Sequence, residues 1–216
     1  MNDQPILSIM MPNYNQKDLI LKALESVPKR NDIELIIIDD VSTDGSFEII
    51  RTWVEENKAL FYDIILKVND TNMGCGFGKN WAYSHAKGDY IITLDSDDHL
   101  YTDNYNKIVD RLYNTNSDVI TIDNDINNGE VWGEKYLNNP FCWRCATWSY
   151  FCKRSFLVSH NLNYCSSSRR AGDLKLSKEI LKHKPSVEIW NILSYHYNYP
   201  RKGSIVWNYE HGKNKS

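Results

Sequence analysis

From residue 6 to about residue 122 the chain switches repeatedly between two hydrophobic periods, and this switching limits the folds open to it. Strand-like runs at Ile6–Met11, Ile33–Ile38, Asp63–Val68, Tyr90–Leu94 and Val119–Ile122 alternate with stretches of helical spacing at Lys17–Val27, Phe47–Asn57, Lys79–Ala86 and Asn104–Tyr113. A strand covered on both faces reads as a nearly continuous apolar run, and a helix packed on it reads as amphipathic. Their alternation predicts an open, mostly parallel, twisted α/β sheet flanked by helices and joined by right-handed crossovers.

In such a sheet the strands end on a common edge, and ligands bind in the crevice beyond it. Polar clusters follow the strand ends here: Pro12-Asn13-Tyr14-Asn15, Asp39-Asp40 and Asp95-Ser96-Asp97-Asp98. They are expected to converge. The last is the sharpest, because Ile91-Ile92-Thr93-Leu94 breaks off into three carboxylates within four residues. Unpaired carboxylates do not tolerate burial, and like charges so close call for a cation. Oxygen ligands suit Mg²⁺ or Mn²⁺ bridging phosphate oxygens. A solvated acidic turn is the alternative, since Asp is common in turns.

Other segments carry less chemistry. Asn69–Gly78 reads as a flexible loop, and its Gly74, Gly76 and Gly78 do not have the dinucleotide-binding spacing. The alternation stops after Asp123. Asn124–Asn139 is polar and loop-like, Lys153–His160 and Asp173–His183 read as helices, and Ser186–Tyr195 as a strand. Residues 1–122 and 123–216 are therefore expected to be two halves of one domain, the second a smaller lobe without a core pattern of its own.

The net charge of −3 gives no basic footprint, which argues against a nucleic-acid partner. The start of the chain lacks a signal-peptide pattern, and no apolar stretch reaches the ~18–20 residues of a membrane span. A reduced, cytoplasmic protein is expected, with room for peripheral contact at a membrane. The five cysteines are an odd number, which suits a reduced chain. Cys142-x-x-Cys145, with Cys152 and Cys165, invites a structural zinc site. The irregular spacing and aromatic flanks leave buried thiols as the other reading.

The strand-end blocks, taken together, resemble the family 2 glycosyltransferases. The residues concerned are Pro12-Asn13-Tyr14-Asn15, Ile36–Ser46, Asn72-Met73-Gly74, Lys87–Tyr90 and Leu94–Asp98. The combination of the Asp39–Ser46 block with Leu94–Asp98 at this spacing is specific, and the resemblance is strong over about residues 6–122. It implies the GT-A (Rossmann-like) fold with a smaller acceptor-side lobe in the second half, and an inverting transfer from a nucleotide-sugar, a UDP-sugar, to a glycan or lipid-linked acceptor. It implies that Pro12 and Tyr14 pack on the nucleotide base and that Asp40 hydrogen-bonds it. It implies that Asp95 and Asp97, with Ser96 between them, form the D-x-D element that handles the donor ribose and the metal, that Mn²⁺ or Mg²⁺ is held by Asp97 first, with Asp95 and the adjacent Asp98 as the other candidates, and that Lys79 stands where relatives often carry Arg near phosphate.

In the second half the family usually opens a helix with two acidic residues. This chain has Gly172-Asp173, so Asp173 is the expected base, or else an acid stabilised at a helix N-terminus. His196 in Tyr195-His196-Tyr197 is a further metal candidate, or a strand histidine satisfied by a neighbour. Arg201 and Lys202 are placed to reach the diphosphate, or form a solvated turn. Among Trp132, Trp143, Trp148 and Tyr150, one or two are expected to line the acceptor site. Arg169-Arg170 reads as a solvated pair or a contact to acceptor phosphate. A binding module of the same fold without catalysis is the rival function. A nucleotidyltransferase would need a Gly-rich basic loop after the first strand, and Pro12–Asn15 is no such loop.

Overall fold

A computed structural model describes residues 3–132, 146–164, 172–199 and 201–202. The elements are β1 (Leu7–Asn13), α1 (Ile20–Ser26), β2 (Ile33–Asp39), α2 (Ser46–Asn57), β3 (Asp63–Val68), α3 (Cys75–His85), β4 (Tyr90–Thr93), β5 (His99–Leu100), α4 (Thr102–Leu112), β6 (Val119–Ile126), β7 (Val131–Trp132), β8 (Tyr150–Lys153), α5 (Arg154–Ser159), α6 (Gly172–Lys182) and β9 (Val187–Tyr197). The sheet order is β3-β2-β1-β4-β8-β6-β9-β5, with β7 paired to β6.

Period-two alternation sorts the sheet residues onto two cores. Leu7, Ile9, Met11, Leu35, Ile37 and Ile92 pack with α1, α2 and α4 residues such as Leu24, Trp53 and Tyr105. Met10, Ile36, Ile38 and Ile91 face the other way, onto Ala82 and Tyr83 of α3, Phe156 of α5 and Leu176 of α6. Each such side chain removed from water contributes about 1.5–3 kcal/mol, so helices are needed on both faces.

The β3, β2, β1 and β4 strands are parallel. Crossovers from β1 through β3 move one way along the sheet, and α3 then carries the chain back to β4 on the far side of β1. The carboxyl ends of β1 and β4 therefore flank a topological switch point, where open sheets hold ligands.

The sheet is mixed beyond β4. β8 runs antiparallel to both β4 and β6, while β6 and β9 are parallel. The second half thus continues the same sheet, and the expected division at residue 122 falls inside β6. Polar Asn124 and Asp125 belong to that strand and pair with Trp132 and Val131, which corrects the loop expected from residue 124. The reversal uses Gly129 at φ 79°. The expected flexible loop up to Gly78 is corrected as well, because α3 begins at Cys75. Asp40 accepts backbone hydrogen bonds from Met73 (2.8 Å) and Gly74 (2.7 Å) just before that helix, supplying the acceptor that the local sequence lacks. A side chain on Gly78 would stand 3.3 Å from Ile38 Cγ2, so glycine lets α3 lie close on β2. Among the described residues, no helix is long and apolar enough to cross a membrane.

Candidate active site

A crevice of about 740 Å³ opens at the switch point. Its walls include Pro12 at the end of β1 and Tyr14 just after it, Asp40 after β2, Lys79 of α3, Asp95, Ser96 and Asp97 after β4, and Asp173 of α6. The sequence clusters meet here, and the second half closes the far side with Trp148, Tyr164, Tyr197 and Arg201.

The first acidic pair is built into the backbone. Asp39 accepts from Asn13 Nδ2 (2.8 Å), Ser42 Oγ (2.6 Å) and the Ser42 N–H (2.9 Å), which fixes the turn after β2. Val41, inside that turn, sits at φ 63°, a conformation that strains a β-branched residue. Asp40 accepts from Asn69 Nδ2 in addition to the Met73 and Gly74 amides, and is 5% exposed. Tyr14 stands at the mouth, 47% exposed.

The second acidic block sends each carboxylate to a different partner. Asp95 meets Lys79 Nζ at 3.1 Å, and Asp97 meets an Arg201 guanidinium nitrogen at 2.5 Å. Asp98 is 2% exposed and accepts from Tyr195 Oη (2.6 Å) and the Asn198 N–H (2.9 Å). Burial and the nearby Asp97 and Asp95 carboxylates push Asp98 well above the usual carboxylate range, against those two hydrogen bonds. Burial likewise raises Asp95, against the pull of Lys79.

Lys79 joins the two sides of the site. It is 4% exposed, and its Nζ lies 3.1 Å from Asp95 and 3.6 Å from Asp173. Burial alone would favour its neutral form, but Asp173 and Asp95 outweigh that and hold it charged. Asp173 Oδ1 also accepts from Thr147 Oγ1 (3.1 Å) and from the Tyr164 hydroxyl.

The expected metal set of Asp97, Asp98 and His196 is not one cluster. Both His196 ring nitrogens are engaged, Nδ1 at 2.9 Å from Asp125 Oδ1 and Nε2 at 3.0 Å from Asn127 Oδ1. Strand parity explains this. Tyr197 of β9 lines the crevice, so His196 next to it projects to the other face, against His99. Asp98 is turned inward by Tyr195 and Asn198. Among the described residues, no group of three or more His, Cys, Asp and Glu side chains is arranged to hold a metal. Asp97 is a carboxylate that fits a hard cation, since it lines the crevice and its partner is a positive group that an ion can replace; Asp95, opposite Lys79, meets the same two conditions. One carboxylate plus phosphate oxygens and water is an ordinary set for Mg²⁺ or Mn²⁺.

The aromatic residues divide. Trp148 lines the crevice but is 6% exposed and stacked on Tyr195 and Tyr197, with ring centroids at 4.9 and 5.0 Å. Tyr150 belongs to the core, with its hydroxyl on Ser177 Oγ. Cys152 is a buried free thiol on β8, packed in the core beside α3 and α5. Cys142, Trp143, Cys145, Cys165, Arg169, Arg170 and the side chain of Trp132 lie outside the described residues. Thr147, Tyr164, Tyr195 and Asn198 belong to the site without any motif to mark them. The one sequence trace is Gly172, where an acid was expected.

Parallel-strand ends gather carboxylates around a crevice at the switch point, where open α/β sheets hold ligands, and the fold is that of the GT-A glycosyltransferases. S. aureus TarS in complex with UDP-GlcNAc superposes with TM-score 0.79 at 19% identity, over 92% of this chain and 59% of that one. The mannosyltransferase PcManGT from Pyrobaculum calidifontis, in complex with GDP-Man and Mn²⁺, superposes with TM-score 0.73 at 17% identity, over 97% of this chain and 61% of that one. The chain belongs to glycosyl transferase family 2, whose profile matches residues 8–181. It is 27% identical over 174 residues to the glycosyltransferase GlyG of Streptococcus pneumoniae serotype 4, covering 80% of this chain and 52% of that protein. The chain spans about half or less of the curated relatives it matches.

Proposed function

We propose that the chain carries an inverting, metal-dependent glycosyltransferase site. It would move a hexosyl or N-acetylhexosaminyl group from a UDP-sugar to a hydroxyl of a glycan or lipid-linked acceptor. The observation that carries this reading is Lys79, which pairs at once with Asp95 on the strand-end wall and with Asp173 on the opposite wall. A donor diphosphate and a proton acceptor would then sit on two sides of one reaction centre. The UDP-GlcNAc complex of TarS and the GDP-Man and Mn²⁺ complex of PcManGT support a nucleotide-sugar and a divalent ion.

In this reading Pro12 and Tyr14 flank the base. Asp40 holds the Asn69–Gly74 segment against it and keeps lone pairs toward the crevice. Asp97 would hold Mn²⁺ or Mg²⁺, which when bound neutralises charge on the leaving diphosphate. Arg201, displaced from Asp97, has the reach and charge to meet the same diphosphate. Asp98 and His196 take supporting places, Asp98 by fixing Tyr195 and Asn198. Asp173 takes the proton of the acceptor hydroxyl while the acceptor oxygen bonds to the anomeric carbon, and the bond from that carbon to the diphosphate oxygen breaks on the opposite face.

The test is a UDP-sugar panel with Mn²⁺, scored for released UDP and for transfer. Turnover that disappears in Asp97→Ala and Asp173→Ala is expected. Undiminished turnover in Asp97→Ala would remove the metal assignment. UDP binding without turnover of any donor would favour a binding module of the same fold.

A further inference from the structure

Asp173 stands next to a glycine whose small size has a visible cause. A Cβ built on Gly172 would lie 2.7 Å from Tyr164 Cζ and 2.8 Å from its hydroxyl oxygen, and would meet Cε1 more closely still. Real Cβ contacts do not occur at such distances, so the Tyr164 ring fills the volume a side chain at position 172 would need. The ring is 5% exposed, tilted against Tyr83 at 6.1 Å, and lies beneath the Lys79 ammonium at 5.6 Å. Its hydroxyl donates to Asp173 Oδ1. Burial and the Asp173 carboxylate, against an opposing pull from Lys79, hold the phenol protonated, so it remains a donor.

We propose that Tyr164 is the positioning residue for Asp173, lodged in the space that Gly172 leaves open. Thr147, Tyr164 and Lys79 all address Oδ1 of Asp173. Asp173 lines the crevice, and among the described residues these contacts leave its Oδ2 unengaged, the oxygen to which the proton is assigned. The glycine that breaks the family's acidic pair is thereby explained: the hydroxyl of Tyr164 stands over position 172 in place of a side chain there. Position 172 can take a larger residue only if Tyr164 changes with it, because a side chain there collides with the ring. The role assigned to Tyr164 rests on Asp173 being the base, and the experiment below separates the two.

The full chain would be compared with Tyr164→Phe, which keeps the ring and removes the donor. Release of UDP from UDP-GlcNAc and UDP-glucose with Mn²⁺ is expected to fall about 10- to 100-fold in kcat. UDP affinity measured by calorimetry should stay within about twofold of the parent, as the substitution leaves the base-binding side untouched. The loss should fall on kcat and leave the donor KM within about twofold, the split expected when an interaction made in the transition state is lost. A merely structural role would lower stability without that split, and an unchanged kcat overturns the proposal. Thermal melts supply a readout that needs no turnover. In a cycle of Tyr164→Phe with Asp173→Ala, non-additive melting temperatures are expected, and additive ones overturn the proposal whatever the activity. A parent that turns over no donor while the cycle is coupled sinks the proposed reaction and upholds the Tyr164–Asp173 pairing. In the companion cycle, Gly172→Ala should lower the melting temperature by several degrees beside Tyr164 and by much less beside Tyr164→Ala. An equal loss in both backgrounds would show that the ring does not fill the space.

Discussion

Two acidic blocks lie at the carboxyl ends of β2 and β4, on either side of β1, and they use the same residue type for opposite ends. The carboxylates of Asp39 and Asp40 accept mainly from neutral donors of their own turn and loop. Those of Asp95 and Asp97 face Lys79 and Arg201. A backbone donor cannot leave without unmaking the fold. A guanidinium on a long side chain can leave, and a cation or a diphosphate can take over its partner. The fate of a carboxylate is thus set by its donors: fixed neutral donors make it architecture, and exchangeable charged donors make it a binding group. Asp98, held by Tyr195 and Asn198, belongs with the first kind although it sits in the second block.

The contrast can be broken by substitution. The largest effect is expected for Asp97→Ala, a loss of about 10³-fold in kcat/KM, equivalent to about 4 kcal/mol of transition-state stabilisation. Its unfolding free energy should change by less than about 1 kcal/mol, because the ion pair it removes is partly exposed. Asp40→Ala should do the reverse. It orphans the Met73 and Gly74 amides and the Asn69 side chain, and a cost on the order of 3 kcal/mol in urea denaturation follows. A variant at position 40 as stable as the parent, and deficient only in UDP binding, would dissolve the distinction. A smaller effect concerns Val41. Relief of its φ of 63° in Val41→Gly should exceed the added chain entropy, for a net gain of about 1 kcal/mol in denaturant midpoint analysis. A loss of stability there would mean that the turn does not strain the residue.

Much of this arrangement was legible in the chain, and the limits have physical causes. Runs such as Ile33–Ile38 and the helical spacing beside them specify strands and covering helices locally. The convergence of Tyr14, Asp40 and Asp97 on one crevice follows from strand direction alone. Asp173 was reachable as an acid in the first turn of a helix. The start of α3 was not, because its Gly-rich first turn is held by Asp40, which is distant in sequence. β8 was hidden by its four-residue length within an aromatic stretch. The face taken by His196 depends on strand parity, which a one-residue shift in β9 would invert. The partner of each carboxylate depends on contacts such as Tyr195 to Asp98, 97 residues apart. No local pattern encodes a pairing at that separation.

Acid titration sharpens the contrast with the smallest expected effect. Asp44, in the turn that follows Asp39-Asp40, accepts from Ser46 Oγ, the Ser46 N–H and the Lys17 N–H. Burial opposes its charge, but these hydrogen bonds outweigh burial and lower Asp44 below its ordinary 3.8. The stability it contributes is therefore present above pH 3.8 and is lost as the pH falls through the folded value. Asp95 is raised instead, chiefly by burial, so its contribution is present below 3.8 and is lost as the pH rises through its folded value. Asp44→Asn should cost at most about 1 kcal/mol at neutral pH. Urea melts followed by tryptophan fluorescence should show parent and variant converging as the pH drops below 3.8. A gap that stays constant down to the lowest pH at which both fold would mean that Asp44 acts by shape and not by charge.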